Sequence, residues 1–473
     1  MSEAFIVRGL IIMNRKIKSI LFTIISSLLI VIFELIDAKV SIDEVKKLGK
    51  EDTLLTPLGA ERSGNDNKTI PEWTGGVTSY PSDYKPGEFY ILPFPQDKIQ
   101  FTITSNNYTK YKDKLTNGMI AMFESYPDSF KMNIYKSHRT ASYPEYVYDA
   151  LLENAKNAEL VKGGNGILKA KITSPFPIPN SGLEAVWNHV LHYRGQTFVR
   201  DYAQASPTLT GDYTLIKIIE KSYVPYAKNN VSLDEIKNNN IFAYFIQVIK
   251  SPPRLSGTAL LIHESIDQVK KPRSSWRYNP GLRRVRRSPN VAYDYPGTAS
   301  DGLRTTDDWN IFNGSPDRYI WELFDKQEKY IPYNCYKLGS NKVRYKDIIK
   351  PGHINQKFVR YELHRVWVIK ATLKKGYRHI YKKRILYLDE DSWFCVSSDM
   401  YDTRNTLWRV TISHPINYYE LPTVWSVLDV YHDLFARRYL ASNLNNESRV
   451  IDFSKKFTKK DFTTSALRRI GLR

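Results

Sequence analysis

The chain has 473 residues, 42% hydrophobic and 25% charged, the ordinary balance of a folded protein. Its formal charge of +20 predicts an anionic partner and carries no information about fold. The informative excess is aromatic, with 33 Tyr, 20 Phe and 9 Trp, residues that favour strands and the walls of apolar clefts.

The N-terminus comes first in chain order. Met13 is a second candidate start, and Arg15, Lys16 and Lys18 form a basic region before an apolar run from Ile20 to Phe33. That run is shorter than the about 20 residues a membrane span needs, and Ala38 offers a cleavage site. Residues 1–38 therefore read as a signal peptide, with an uncleaved inner-membrane anchor as the weaker alternative. No cysteine follows the apolar run, so a lipid-modified N-terminus is not expected. Export argues against nucleic acid as the anionic partner. Only Cys335 and Cys395 are present, enough for one bridge in an oxidising compartment or for two small hydrophobes.

Residues 39–50 suggest a short helix capped by Ser41. Residues 51–100 are rich in Gly and Pro and show neither helical nor strand period. They read as a strap across the fold, packed by Trp73, Tyr90, Phe94 and Phe101, with a lid over a cleft as the alternative. Helical character follows at 107–124 (Leu115, Met119, Met122, Phe123) and at 144–162 (Val147, Leu151, Leu152, Ala155), stopped by the glycines at 163–166. A clearer helix carries Leu183, Val186, Trp187, Val190 and Leu191 on one face. His189 and His192 are three apart on it, but no carboxylate is in register, so no metal site is expected.

From Thr197 the period becomes two. Thr214–Ile219, Ile241–Lys250, Ser256–Ile262 and Ser275–Arg287 read as antiparallel strands. The last reverses at Asn279-Pro280-Gly281, after which Arg283, Arg284, Arg286 and Arg287 flank Val285. Both faces are then charged. The strand is either a solvated edge or is pinned by acids of the next loop, Asp301, Asp307, Asp308 and Asp317, with spare arginines left for an anion. A second meander follows through Arg360–Leu373, His379–Leu388, Trp393–Tyr401 and Leu407–His414. Its two faces differ, as in a sheet with one wet side, and Asp389-Glu390-Asp391 reads as a solvated turn. Residues 418–440 read as helical or mixed, and the basic tail as free except for a last helical turn. Glu362 and His364 share a strand face, where a buried hydrogen-bonded pair is favoured over a catalytic one. No nucleophile elbow, zinc-protease helix or phosphate loop occurs. Neither an enzyme nor a cofactor is expected.

A wider set of segments carries a resemblance: LTPLGAERSGN (Leu55–Asn65), IPEWTGG (Ile70–Gly76), PFPIPNSGLEAVWNH (Pro175–His189), the Trp276–Arg287 hairpin with its acidic loop, PGHINQKFVRYELHRVWV (Pro351–Val368), YLDEDSW (Tyr387–Trp393) and ALRRIG (Ala466–Gly471). The chain resembles a large uncharacterised Gram-negative family assigned provisionally to outer-membrane lipoprotein sorting, within the LolA-like superfamily. The resemblance implies a β-dominated α+β fold, an open antiparallel half-barrel closed by helices, with an N-terminal extension. Residues 39–473 would form one large lipid-binding domain in the periplasm. The function implied is a carrier or chaperone for a lipid or lipid-like hydrophobic ligand in envelope lipid or lipoprotein trafficking. Trp187, Trp276, Tyr278 and Trp367 would line the cleft, and anionic envelope lipids or a membrane transporter would be partners. The chain is far longer than a minimal lipoprotein carrier, so lipoprotein cargo does not carry over. Two other readings remain: an envelope hydrolase using Glu362 and His364, and an adaptor subunit of an outer-membrane or efflux-type transporter.

Overall fold

The computed structural model describes residues 40–288, 291 and 293–471; the expected signal peptide lies outside the described residues. Alternating apolar residues build one large sheet. Its first members are two short strands, β1 (Phe101–Ile103) and β2 (Met132–Ile134); β3 (Glu159–Leu160) and β4 (Ile167–Leu168) form a separate ladder. One meander is β5 (Thr197–Ala205), β6 (Ile216–Tyr223), β7 (Ile241–Ser251), β8 (Ala259–Ser265), β9 (Ser274–Asn279) and β10 (Arg284–Arg287). The other is β11 (Tyr319–Pro332), β12 (Tyr361–Leu373), β13 (Lys383–Asp389), β14 (Cys395–Tyr401), β15 (Leu407–Asn417), β16 (Val424–Asp433) and β17 (Arg438–Leu444). Each strand pairs antiparallel with the next within its meander, and β17 joins β5 through Ala441–Ala205 and Leu444–Ala203. β2 meets the start of β12 through the parallel pair Ile134–Tyr361. The outer strands β10 and β11 do not pair with each other, so the sheet is open. The architecture is the β-dominated α+β fold the sequence implied.

Helices pack on this sheet by their apolar faces. α1 (Asn117–Ser125) is capped by the Thr116 hydroxyl, which accepts from the Met119 amide, and buries Met119, Met122 and Phe123. α2 (Glu145–Asn157) buries Val147 and Leu151. α3 (Gly182–Leu191) starts at the Ser181 cap and lies directly on β11. A Cβ at Gly182 would come within 2.8 Å of the Trp321 and Glu322 backbone, so only glycine admits the helix there. A short α4 (Leu233–Asn239) precedes β7, and α5 (Thr464–Gly471) closes the chain.

Three expectations change. Residues 418–440 hold a strand, β16, buried along its whole length; a strand covered on both faces shows no alternation to read. β11 was not anticipated, because its middle is a polar run from Asp325 to Lys329 at the sheet's edge. The tail is not free: Ala466 and Leu467 of α5 and Phe462 before it are buried against Tyr244, Leu261 and Tyr278 of the sheet. Cys335 and Cys395 are buried and unbridged.

Candidate binding groove and buried acid centre

Alternation decides which residues of β7, β8 and β9 can meet a ligand. Tyr244, Ile246, Val248, Ala259, Leu261, Trp276 and Tyr278 face α5. The opposite face presents Phe245, Gln247, Leu260, Ile262, Glu264 and Arg277, and Arg286 of β10 stands beside Arg277. Loop 293–313 folds back over this floor, and Trp309 lies parallel to Phe245 at 6.0 Å. Between floor and loop runs a groove with a cavity of about 40 Å³, continued by one of about 10 Å³ that shares Gln247, Leu260, Arg277 and Thr298. A polar opening of about 520 Å³ lies beside it, lined by Ser275, Arg273, Arg287, Tyr293 and Asp317 among others.

The groove is cationic as well as apolar. Arg273 is neutralised by Glu264 at 2.6 Å. Arg304 is 8% exposed and rests on the Tyr431 ring, and its Nε has no hydrogen-bond partner among the described residues. Arg194 lies buried among the rings of Phe242, Trp309 and Trp425 at 5.7–5.8 Å, and burial lowers its pKa to about 10. No ion pair to Arg194, Arg277 or Arg304 occurs among the described residues.

The four expected ligand aromatics do not converge on this groove. Trp276 and Tyr278 point to the α5 side, because a strand sends neighbouring residues to opposite faces and Ser275 and Arg277 take the groove side. Trp187 is a core residue, 1% exposed, donating its indole N–H to the Gly164 carbonyl at 2.9 Å. Trp367 of β12 stacks on Trp393 at 5.7 Å, and Lys326 Nζ lies over its ring at 5.2 Å.

The expected arginine pairing is also corrected. Arg283, Arg284, Arg286 and Arg287 are exposed at the sheet edge, and none pairs with the loop acids among the described residues. Asp307 and Asp308 instead hold Arg384 of β13 at 2.5 and 2.8 Å, with His379 on Asp307 at 3.0 Å. Asp301 pairs with Arg438 at 2.6 Å, and Asp317 accepts from the Tyr293 hydroxyl at 3.0 Å. A fully buried guanidinium such as Arg384 needs its anions, whereas exposed arginines are served by water.

The largest correction concerns Asp389-Glu390-Asp391. This turn between β13 and β14 is 0%, 1% and 2% exposed. The strap covers it, and Arg139 fastens the two together. Its guanidinium binds both oxygens of Asp391, at 2.9 and 2.6 Å, and donates to the backbone carbonyls of Glu61 at 2.7 Å and Arg62 at 3.0 Å. Arg365 and Lys326 reach Glu390 at 3.3 and 3.1 Å. Alongside, Glu362 is gripped by Arg360 at 2.5 Å, His364 Nε2 at 3.1 Å, the Asn334 amide at 2.9 Å and the His138 backbone N–H at 2.7 Å. Burial alone would raise the Glu362 pKa, but the His364 hydrogen bond and the Arg360 charge hold it at about 2. Burial and the charges of Asp391 and Glu390 push Asp389 the other way, to about 7. Arg139 overcomes burial at Asp391 and keeps it low.

Glu362 and His364 thus form the buried pair favoured from the sequence, sealed from solvent and from any substrate. Ligand-capable atoms of His364, Asp389 and Asp391 all lie within 4.8 Å of one another. Local spacing carries no sign of this burial, since the covering strap and Arg139 lie more than two hundred residues away. His189 is structural: its Nε2 donates to the Asn310 carbonyl at 2.8 Å and its Nδ1 accepts the Cys395 amide at 3.1 Å.

Comparisons with known proteins place the chain in a family. An uncharacterised protein of Pseudomonas aeruginosa, PA3922, is 47% identical over 437 residues, 92% of this chain and 95% of that protein. Among solved structures, a domain from Vibrio parahaemolyticus assigned provisionally to outer membrane lipoprotein sorting aligns at 14% identity and a TM-score of 0.40, over 58% of this chain and 92% of its own. A LolA superfamily protein of Nitrosomonas europaea, NE2245, aligns at 12% and 0.36, over 58% and 93%. The model of a family of proteins of unknown function, DUF1329, matches residues 102–468. The chain belongs to the DUF1329 family.

Proposed function

We propose that the protein is an exported, periplasmic carrier for an anionic amphiphile, a lipid or lipid-like molecule with an apolar body and an acidic head. The observation that carries this reading is the groove on the inner face of β7–β9. Phe245, Leu260 and Ile262 supply an apolar floor, and Arg277 and Arg304 supply cations without acidic partners among the described residues. A cavity of about 40 Å³ does not hold an acyl chain, so loop 293–313 occupies the ligand's place and must lift for loading. Each methylene buried in its stead contributes about 0.8 kcal/mol, and an acidic head meeting an unpaired buried guanidinium forms a charge-assisted hydrogen bond. The sealed state of Glu362 and His364 speaks for binding rather than hydrolysis at that pair.

The test is native mass spectrometry of the purified protein for bound lipid, followed by titration with a fluorescent fatty-acyl probe carrying a carboxylate. Leu260→Asp should abolish probe binding with the circular dichroism spectrum unchanged, and Arg304→Gln should weaken the anionic probe more than its neutral methyl ester. Equal binding by wild type and Leu260→Asp would remove the groove as the site. Cleavage and release into the periplasm rest on residues 1–38, and an intact N-terminus together with carbonate-resistant membrane association would overturn them.

A further inference from the structure

We propose that His364, Asp389 and Asp391 bind one divalent transition-metal ion, of the zinc class, beneath the strap. A buried group of acids is not by itself a metal site, but here a second observation points to a ligand. Asp389 is completely buried, and one of its oxygens, Oδ1, has no hydrogen-bond partner among the described residues. Its other oxygen accepts from the hydroxyls of Tyr333 at 3.2 Å and Ser392 at 2.5 Å. The carboxylate is thus anchored by one oxygen and presents a bare lone pair with the second. Unpaired buried acceptors of this kind are rare and call for a donor or an ion.

The surrounding chemistry selects a cation. Glu61, Glu390 and Asp391 are matched by Arg139, Lys326 and Arg365, and Asp97 and Glu362 share Arg360 with His138 and His364 beside them, whereas Asp389 has no ion pair among the described residues. Asp389 is thus the buried carboxylate of this region without a cation, and a metal ion at its bare oxygen would supply one.

The supporting contacts are those a metal site needs. Glu362 accepts from His364 Nε2, which leaves Nδ1 as the imidazole nitrogen free for coordination, and Tyr333 stacks on the same ring at 3.9 Å. Arg139 fixes Asp391 through both oxygens, each of which keeps a further lone pair. One imidazole nitrogen with two carboxylate oxygens is a donor set for zinc rather than for magnesium or calcium, which take oxygen alone. Such an ion would cross-link β12 to the β13–β14 turn, under the strap that Arg139 ties down.

The experiment uses the full chain, refolded after chelator treatment with and without Zn²⁺, and counts metal by elemental analysis. We expect about one equivalent of zinc per chain, resistant to dialysis, and a thermal midpoint raised by about 3 °C at free zinc a hundredfold above Kd. Asp389→Asn and His364→Gln should each lose the equivalent, whereas His414→Gln, at a buried histidine outside the network, should keep it. Should the first two variants fail to fold, zinc-edge X-ray absorption of the wild type decides instead, with a nitrogen and oxygen shell containing one imidazole as the expected result. Uptake below about a tenth of an equivalent, full zinc retention by Asp389→Asn and His364→Gln, or a shell with several imidazoles would overturn the assignment.

Discussion

Arg139 and Asp391 stand 2.6 Å apart with both side chains only 1% exposed, and the same guanidinium holds two strap carbonyls. One residue thereby joins the strap to the β13–β14 turn. Arg139→Ala would leave Asp391 as an uncompensated buried charge, and a loss of about 3–5 kcal/mol in urea denaturation is expected. Limited proteolysis should then cut between residues 61 and 75. A variant with wild-type stability and an uncut strap would show that Trp73 and its neighbours hold the strap unaided.

The edge arginines behave differently. Arg283, Arg284, Arg286 and Arg287 are exposed, so single changes to alanine should shift stability by no more than about 0.5 kcal/mol. Arg384→Ala, which strands Asp307 and Asp308 in the interior, should cost about 3–5 kcal/mol. Denaturation midpoints of the five variants check the contrast.

The two faces of β9 yield a paired prediction. Arg277→Gln should weaken binding of the carboxylate probe about tenfold, the loss of one charge-assisted contact of roughly 1.5 kcal/mol. Trp276→Ala, two strand surfaces away against α5, should leave probe affinity unchanged and lower stability alone. Probe titration and thermal melting of the two variants separate the outcomes.

Stability should depend on pH through groups pulling in opposite senses. Burial raises Asp399 to about 7, despite hydrogen bonds from Tyr387 and the Gly118 amide. The folded state then keeps a proton that the unfolded chain has released, so this contribution is complete below the ordinary carboxylate pKa and is lost as pH rises toward 7. His189 and His414 are lowered to about 4 by burial. Their contribution is present above the ordinary imidazole pKa and is lost as pH falls toward 4. Asp399→Asn should therefore gain on the wild type by roughly 2–4 kcal/mol in moving from pH 4 to pH 8, measured by denaturation at both. A gain that does not grow with pH would show that Asp399 is ionised in the folded protein.

How much of this was legible follows from the range of the interactions. The apolar, β-branched and aromatic run Ile241–Lys250 and the turn at Asn279-Pro280-Gly281 are local, and both were read correctly. Which face of β9 looks into the groove was not local: it depends on α5, nearly two hundred residues later, covering Trp276 and Tyr278. The acid turn failed for the same reason. Three acids between strands are solvated unless something distant covers them, and here Glu61 to Pro71 and Arg139 do. At Glu362 and His364 the same-face spacing sufficed, because the pair satisfies itself.

The seam between β17 and β5 can close only late in synthesis. Thr197–Ala205 can pair at once with Ile216–Tyr223, but its other edge is filled only when Arg438–Leu444 has been made. For more than two hundred residues of chain growth that edge stays unpaired, open to the wrong strand. Of all the ladders in the sheet, this one is the last that can close, and a chain ending before residue 438 could never close it.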